Sequence, residues 1–200
     1  MDGKLQERSK SINGSTVMII MSFFVLTAGI IIGSVYLMHV ASDPDAMLDN
    51  YLNSFFVTGA NGINKSAAFK NALRENAVYF LIIFIAGFFR IGILFVALAL
   101  LRKGFILGFT SAALMKFYGI KGAVTAAAML PGIIFIVPAF LFFATASADL
   151  SLRKEKNTKK IIFSYIFFSL IIMTIFCAAS LSDGYLTTIF IKNISPKIIH

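Results

Sequence analysis

The chain has no tryptophan, one cysteine, two histidines, and 9 acidic residues against 18 basic ones. Each shortage removes a class of function. Cys177 has no partner within the chain, so no intrachain disulfide forms, and its place inside an apolar run points to packing. His39 and His200 stand at the end of one apolar run and at the last position of the sequence, too scattered to converge on a metal. There is no H-E-x-x-H, G-x-S-x-G or Walker loop. No catalytic residue, metal ligand or cofactor site is therefore expected. Carboxylates are missing from within the apolar runs, with Asp149 at the end of one of them. A proton-coupled carrier usually keeps a carboxylate at mid-membrane, so this shortage counts against one. Without tryptophan, the interfacial aromatic belt falls to tyrosines such as Tyr36, Tyr79, Tyr118, Tyr165 and Tyr185.

What the sequence has in quantity is apolar surface: 58% of its 200 residues are hydrophobic, and mean hydropathy is +0.87. Several apolar runs reach or approach the roughly 20 residues that a helix needs to cross about 30 Å of hydrocarbon. The runs are continuous rather than alternating, which argues against a barrel. The expected fold is an all-α, polytopic helical bundle forming one integral membrane domain. A net charge of +9 would suit nucleic acid in a soluble protein. Here the cations flank apolar runs, where they fix topology and meet anionic headgroups, so the expected partners are membrane lipids and no nucleic acid.

In chain order, residues 1–15 are polar and carry Lys4, Arg8 and Lys10, and residues 17–40 form a first span. That run exceeds the 7–15 residues of a signal-peptide core and no A-x-A site comes after it, so it reads as a retained helix. Residues 41–75 are polar, with a helix start at Asp43-Pro44-Asp45 and an apolar face of Met47, Leu48, Tyr51, Leu52 and Phe55. Breakers at Gly59 and Asn61-Gly62 precede a second helix from about Ser66. The segment reads as an interfacial helical hairpin, with a plain connecting loop as the alternative.

Residues 77–101 are apolar except for Arg90. They form either one long span ending at Arg102-Lys103, or a short helix that turns at Arg90 into a second one. Residues 152–160 carry RKEKNTKK, the strongest cytoplasmic marker, and 161–181 is a clean final span. The tail, 183–200, begins with a breaker and then becomes moderately apolar. With the basic N-terminus and the 152–160 loop inside and the acidic hairpin outside, the intervening chain must cross an odd number of times. Three crossings fit and one does not. The resulting spans are 17–40, 76–89, 91–117, 120–150 and 161–181, with a cytoplasmic N-terminus and an extracytoplasmic C-terminus.

Arg90, Arg102 and Lys103 are then the ionisable groups nearest membrane depth, where such groups are functional candidates. The plainer account puts Arg90 in a cytoplasmic turn and lets Lys103 snorkel. Gly29/Gly33 and Gly104/Gly108 are G-x-x-x-G pairs that permit close helix approach, and Pro131 and Pro138 imply a bent or broken helix facing protein rather than lipid.

Taken together, LLRKGFILGF (100–109), MKFYGIKGAV (115–124), MLPGIIFIVPAF (129–140) and ADLSLR (148–153) resemble the stage II sporulation protein M family. The first span and NALRENAVYFLIIFIAGFF (71–89) fit the same pattern, so the resemblance covers about residues 20 to 195. It implies a multi-pass protein of the bacterial cell membrane, in the septal, engulfing membrane of the mother cell. Such a protein is no hydrolase itself. It anchors two, the stage II sporulation proteins D and P, for septal wall thinning and forespore engulfment. The extracytoplasmic hairpin and tail would be the docking face, and the glycine-bearing spans would pack against a partner's anchor or a second copy, giving a homodimer. The alternative is a permease or channel in which Arg90, Lys103 and the Pro131–Pro138 helix line a path for an anionic solute.

Overall fold

Backbone polar groups in hydrocarbon have to pair within the protein, which leaves helices as the way to thread apolar runs of this length. In the computed structural model of the chain, the described residues are 2–40, 54, 57, 64–128, 130–152, 159–187 and 189. They contain five long helices and no strand: α1 (Asp2–Val40), α2 (Lys65–Ala86), α3 (Gly92–Ala128), α4 (Leu130–Leu152) and α5 (Lys159–Ser182). A π-helical turn, Asp183–Thr187, closes α5. The apolar docking face at Met47, Leu48, Tyr51, Leu52 and Phe55 lies outside the described residues, as do most of the 41–75 hairpin and the basic loop from 153 to 158.

Four segments are long and apolar enough to cross a membrane: Thr16–His39, Gly92–Ala126, Ile133–Leu152 and Lys159–Tyr185. The protein is a polytopic all-α membrane bundle. The expected 76–89 segment is the C-terminal half of α2 together with the turn after it. The first half of that helix carries Lys65, Lys70, Arg74 and Glu75 and is therefore polar. Asn64 starts it, with its side-chain Oδ1 accepting from the backbone N–H groups of Ser66 (3.0 Å) and Ala67 (3.3 Å).

Between α2 and α3 the chain turns at residues 87–91, and Arg90 lies exposed in that turn. Toward the end of α2 the carbonyls run short of helical partners, Ile83 being the last to keep its i+4 bond, from the Gly87 N–H at 3.2 Å. Hydroxyls from two other helices supply them. Ser147 of α4 donates to the Ile83 carbonyl at 2.7 Å, and the Tyr165 hydroxyl of α5 donates to Phe84 at 3.2 Å. Ser151 donates to Phe89 inside the turn.

A second break lies at Gly119, where φ is +54° and ψ −128°, so the helical path stops and resumes in a new direction. Only glycine adopts such a backbone without strain. The expected 120–150 span is divided between two helices, residues 120–128 belonging to α3 beyond its break and 130–152 to α4. Pro131 is the second residue of α4, where a missing N–H costs nothing, so it starts a helix rather than bending one. Pro138 sits within α4 on an exposed face, contrary to the expectation that it looks inward. The bundle turns that ring outward to where lipid would lie.

α1 packs chiefly along α3, and the two glycine pairs meet there. A Cβ on Gly29 would come within 3.1 Å of the Gly104 Cα, and one on Gly33 would strike the backbone of Phe105. In the other direction, Gly104 abuts the backbone of Leu26 and Ile30, and Gly108 abuts that of Ile30. The Ser34 hydroxyl crosses the contact to the Gly108 carbonyl at 3.2 Å. Without a hydrophobic force between helices in lipid, such backbone-to-backbone approach is what holds a pair together. The expected use of these glycines toward a partner's anchor or a second copy is thereby displaced. They are occupied within the chain.

The main core lies among α2, α4 and α5. Ile83, Phe143, Ala144 and Ala179 are fully buried in it. Phe80 stacks on Phe143 (centroids 4.9 Å apart, planes at 11°), and Phe84 stacks on Tyr165 (5.5 Å, 13°). Tyr79 and Tyr165 belong to this core rather than to the expected interfacial belt, since they are 3% and 6% exposed. Their rings pack against phenylalanines, which outweighs what a headgroup layer offers a single hydroxyl. Tyr36 and Tyr185 remain on the outer surface.

Candidate functional site

The polar residues of α2 obey helical spacing. Asn71, Arg74, Glu75, Val78 and Tyr79 fall at i, i+3, i+4, i+7 and i+8, so they share one stripe. α3 runs back alongside α2 from the 87–91 turn. Lys103 is eleven residues beyond Gly92 and Glu75 eleven before Ala86, so at 1.5 Å per residue both lie about 16 Å from that turn. Equal depth brings them together. The Lys103 ammonium pairs with Glu75 Oε1 at 3.2 Å, the lysine side chain being 12% exposed and the glutamate 53%.

Tyr79 braces this pair. Its ring centroid lies 5.0 Å from Lys103 Nζ and 5.5 Å from Arg102 Cζ, both within cation–π range. Its edge meets Phe140 in a T-shaped contact at 5.7 Å, which ties the charged cluster to the core. The residue beside Glu75, Asn76, is buried and donates to the Ser180 hydroxyl of α5 at 2.9 Å. Ser180 in turn donates to the Phe176 carbonyl at 2.8 Å. That chain of bonds places the end of α5, and hence Asp183, beside Glu75 and Lys103.

A cavity of about 280 Å³ results. Glu75, Lys103, Thr110, Ser111 and Asp183 supply its polar wall, and aliphatic residues from Ile106 to Ile136 the rest. On the other side of Glu75 lies a cleft of about 250 Å³ lined by Asn71, Arg74, Glu75, Val78, Tyr79 and Arg102. The arrangement provides fixed charges of both signs, hydroxyls and an amide. Its chemistry is that of holding ions and holding helices in register. Among the described residues no group of three or more histidine, cysteine or acidic side chains is placed to hold a metal.

Of the residues singled out in the sequence, Arg102 and Lys103 fall at this site, while Gly104 and Gly108 fall on the adjoining face of α3 against α1. Arg90 is some three helical turns away and shares no wall with Lys103. Pro138 lies outside the site. The sequence reading missed Glu75, Asp183, Tyr79, Asn76 and Ser180. The first two add acids to a site where the sequence offered only cations. The signal available was the polar stripe in NALREN, whose spacing matches one helix face and whose distance from residue 90 matches that of Lys103.

Residues 20–188 match the family described as stage II sporulation protein M. No curated protein and no solved structure matches the chain.

Proposed function

Because the chain belongs to the stage II sporulation protein M family, we propose that it is a non-catalytic membrane scaffold. In this reading it anchors peptidoglycan hydrolases, the stage II sporulation proteins D and P, at the septum of a sporulating cell. There the assembly thins the septal wall and lets the mother-cell membrane engulf the forespore. The observation that carries the reading is the family match, which runs through nearly every described helix. The placing of the polar groups supports it. Ser147, Tyr165, Asn76 and Ser34 are spent on joining helices to one another, as a rigid platform requires.

In this reading the N-terminus and the 152–160 loop are cytoplasmic and the C-terminus is outside. α2, α3 and α4 then make the three crossings between the hairpin and the basic loop. The 87–91 turn is cytoplasmic, and the polar half of α2 faces outward, continuous with the hairpin that meets the hydrolases.

The test is affinity purification of the tagged full chain from sporulating cells, wild type against a variant with Met47, Leu48, Tyr51, Leu52 and Phe55 made polar. Both hydrolases should copurify with the wild type and be lost from the variant. Their absence from both samples would refute the scaffold. A second reading, a permease for a small ion, is favoured by one observation, the 280 Å³ cavity with charges of both signs. Thr110 and Ser111 are its reporters. Cysteines placed there in a Cys177→Ala background react with impermeant thiol reagents if the cavity is a conduit, and stay inert in a scaffold.

A further inference from the structure

We infer that the cleft between Arg102 and the polar stripe of α2 binds a phosphate group, supplied by the headgroup of an anionic phospholipid. Its wall is rich in donors and short of acceptors. Arg74 and Arg102 bring guanidinium forks and Asn71 an amide. The one acceptor with charge, Glu75, is held by Lys103 at 3.2 Å. Among the described residues no carboxylate lies within ion-pair distance of Arg74 or Arg102, although Arg102 sits about 15 Å along α3 from the turn. A guanidinium at that depth needs an anion, and planar recognition of phosphate oxygens is what the group does best.

The Tyr79 ring, 5.5 Å from Arg102 Cζ and part of the cleft's lining, holds that guanidinium in place for an oxyanion. The polar half of α2, from Lys65 to Glu75, gives a headgroup a continuous hydrophilic path down to the site. Local thinning of the bilayer around such a stripe brings the phosphate layer toward Arg102.

The full chain, purified in detergent, would be titrated with phosphatidylglycerol under native mass spectrometry and with inorganic phosphate by calorimetry. Arg102→Gln should weaken lipid binding about tenfold or more, the usual effect of losing a charged hydrogen bond. Arg74→Gln, which removes the second guanidinium of the cleft, should weaken it to a similar degree. Arg90→Gln, in the distant turn, should leave it unchanged. Lipid binding without measurable phosphate binding assigns the site to the headgroup in its bilayer setting. Phosphate binding that is lost in Arg102→Gln, with no gain from the lipid, assigns the site to a free oxyanion and overturns the lipid assignment. Equal weakening by Arg90→Gln and Arg102→Gln would show general charge attraction alone and overturn the inference, as would binding of neither probe.

Discussion

Replacing Gly104 with alanine sets two effects of opposite sign against each other. In a helix interior alanine is favoured over glycine by about 0.5–1 kcal/mol. At this position, however, the added Cβ would lie 3.1 Å from the Ile30 nitrogen and 3.2 Å from the Gly29 Cα, and closer still to the Leu26 carbonyl oxygen. All three atoms are backbone of α1, so no rotamer change relieves the contact and the two helices have to part. Overpacking of this kind costs about 1–3 kcal/mol. Separation also stretches the Ser34 to Gly108 hydrogen bond, which contributes about 0.5–1.5 kcal/mol. The net expectation is a loss of about 1–2 kcal/mol for Gly104→Ala, and a larger one for Gly104→Val. An SDS titration of the full chain in mixed micelles, read by near-ultraviolet circular dichroism, measures it. Ala28→Leu, one residue from Gly29 but on an exposed face, is the control and should shift stability by less than about 0.5 kcal/mol. A Gly104→Ala protein as stable as wild type, or more so, would mean that helix propensity wins and that backbone contact is not what joins α1 to α3.

Two other contacts give expected outcomes of their own. Lys103→Glu would leave three carboxylates around one cavity and should destabilise the bundle by about 1–2 kcal/mol, a figure reduced for the half-exposed Glu75. The exchanged pair Glu75→Lys/Lys103→Glu should recover most of that loss, and failure to recover it would show that the ion pair carries none of the stability. Ser147→Ala removes a short bond to the end of α2 and should lower the unfolding free energy by about 1–2 kcal/mol in the same SDS assay. An unchanged midpoint would mean that Tyr165, 3.4 Å from the same Ile83 carbonyl, suffices alone.

The α1–α3 crossing was legible in the sequence because small residues four apart have one strong use in a membrane helix. What the spacing left open was the partner, and the fold supplies it from within the chain. The charged site was hidden for the opposite reason. Glu75 stands at the boundary between a polar segment and an apolar one, and hydropathy assigns such a residue to the water side. Only the turn at residues 87–91, which sets Glu75 and Lys103 at equal depth, reveals it as a partner. The breaker that opens the 183–200 tail does stand just past the end of α5, and Asp183 is its first residue. Its approach to Lys103 depends on Asn76 and Ser180, a pairing across 104 residues that no local pattern announces. Tyrosines at the ends of apolar runs suggest a belt by composition alone. Tyr79 and Tyr165 depart from it because the phenylalanines at positions 80, 84, 140 and 143 offer their rings a packed core.

The glycine crossing also bears on how the chain can be divided. Residues 41–64 connect α1 to α2, yet the grip of α1 on the bundle comes from the backbone contacts at residues 26–34 and 101–108. A fragment beginning near Asn64 would carry an open groove on α3, shaped to one particular helix, and a fragment ending near Val40 would carry that helix. The two pieces form a natural split pair, with the recognition surface residing in the halves rather than in the segment between them.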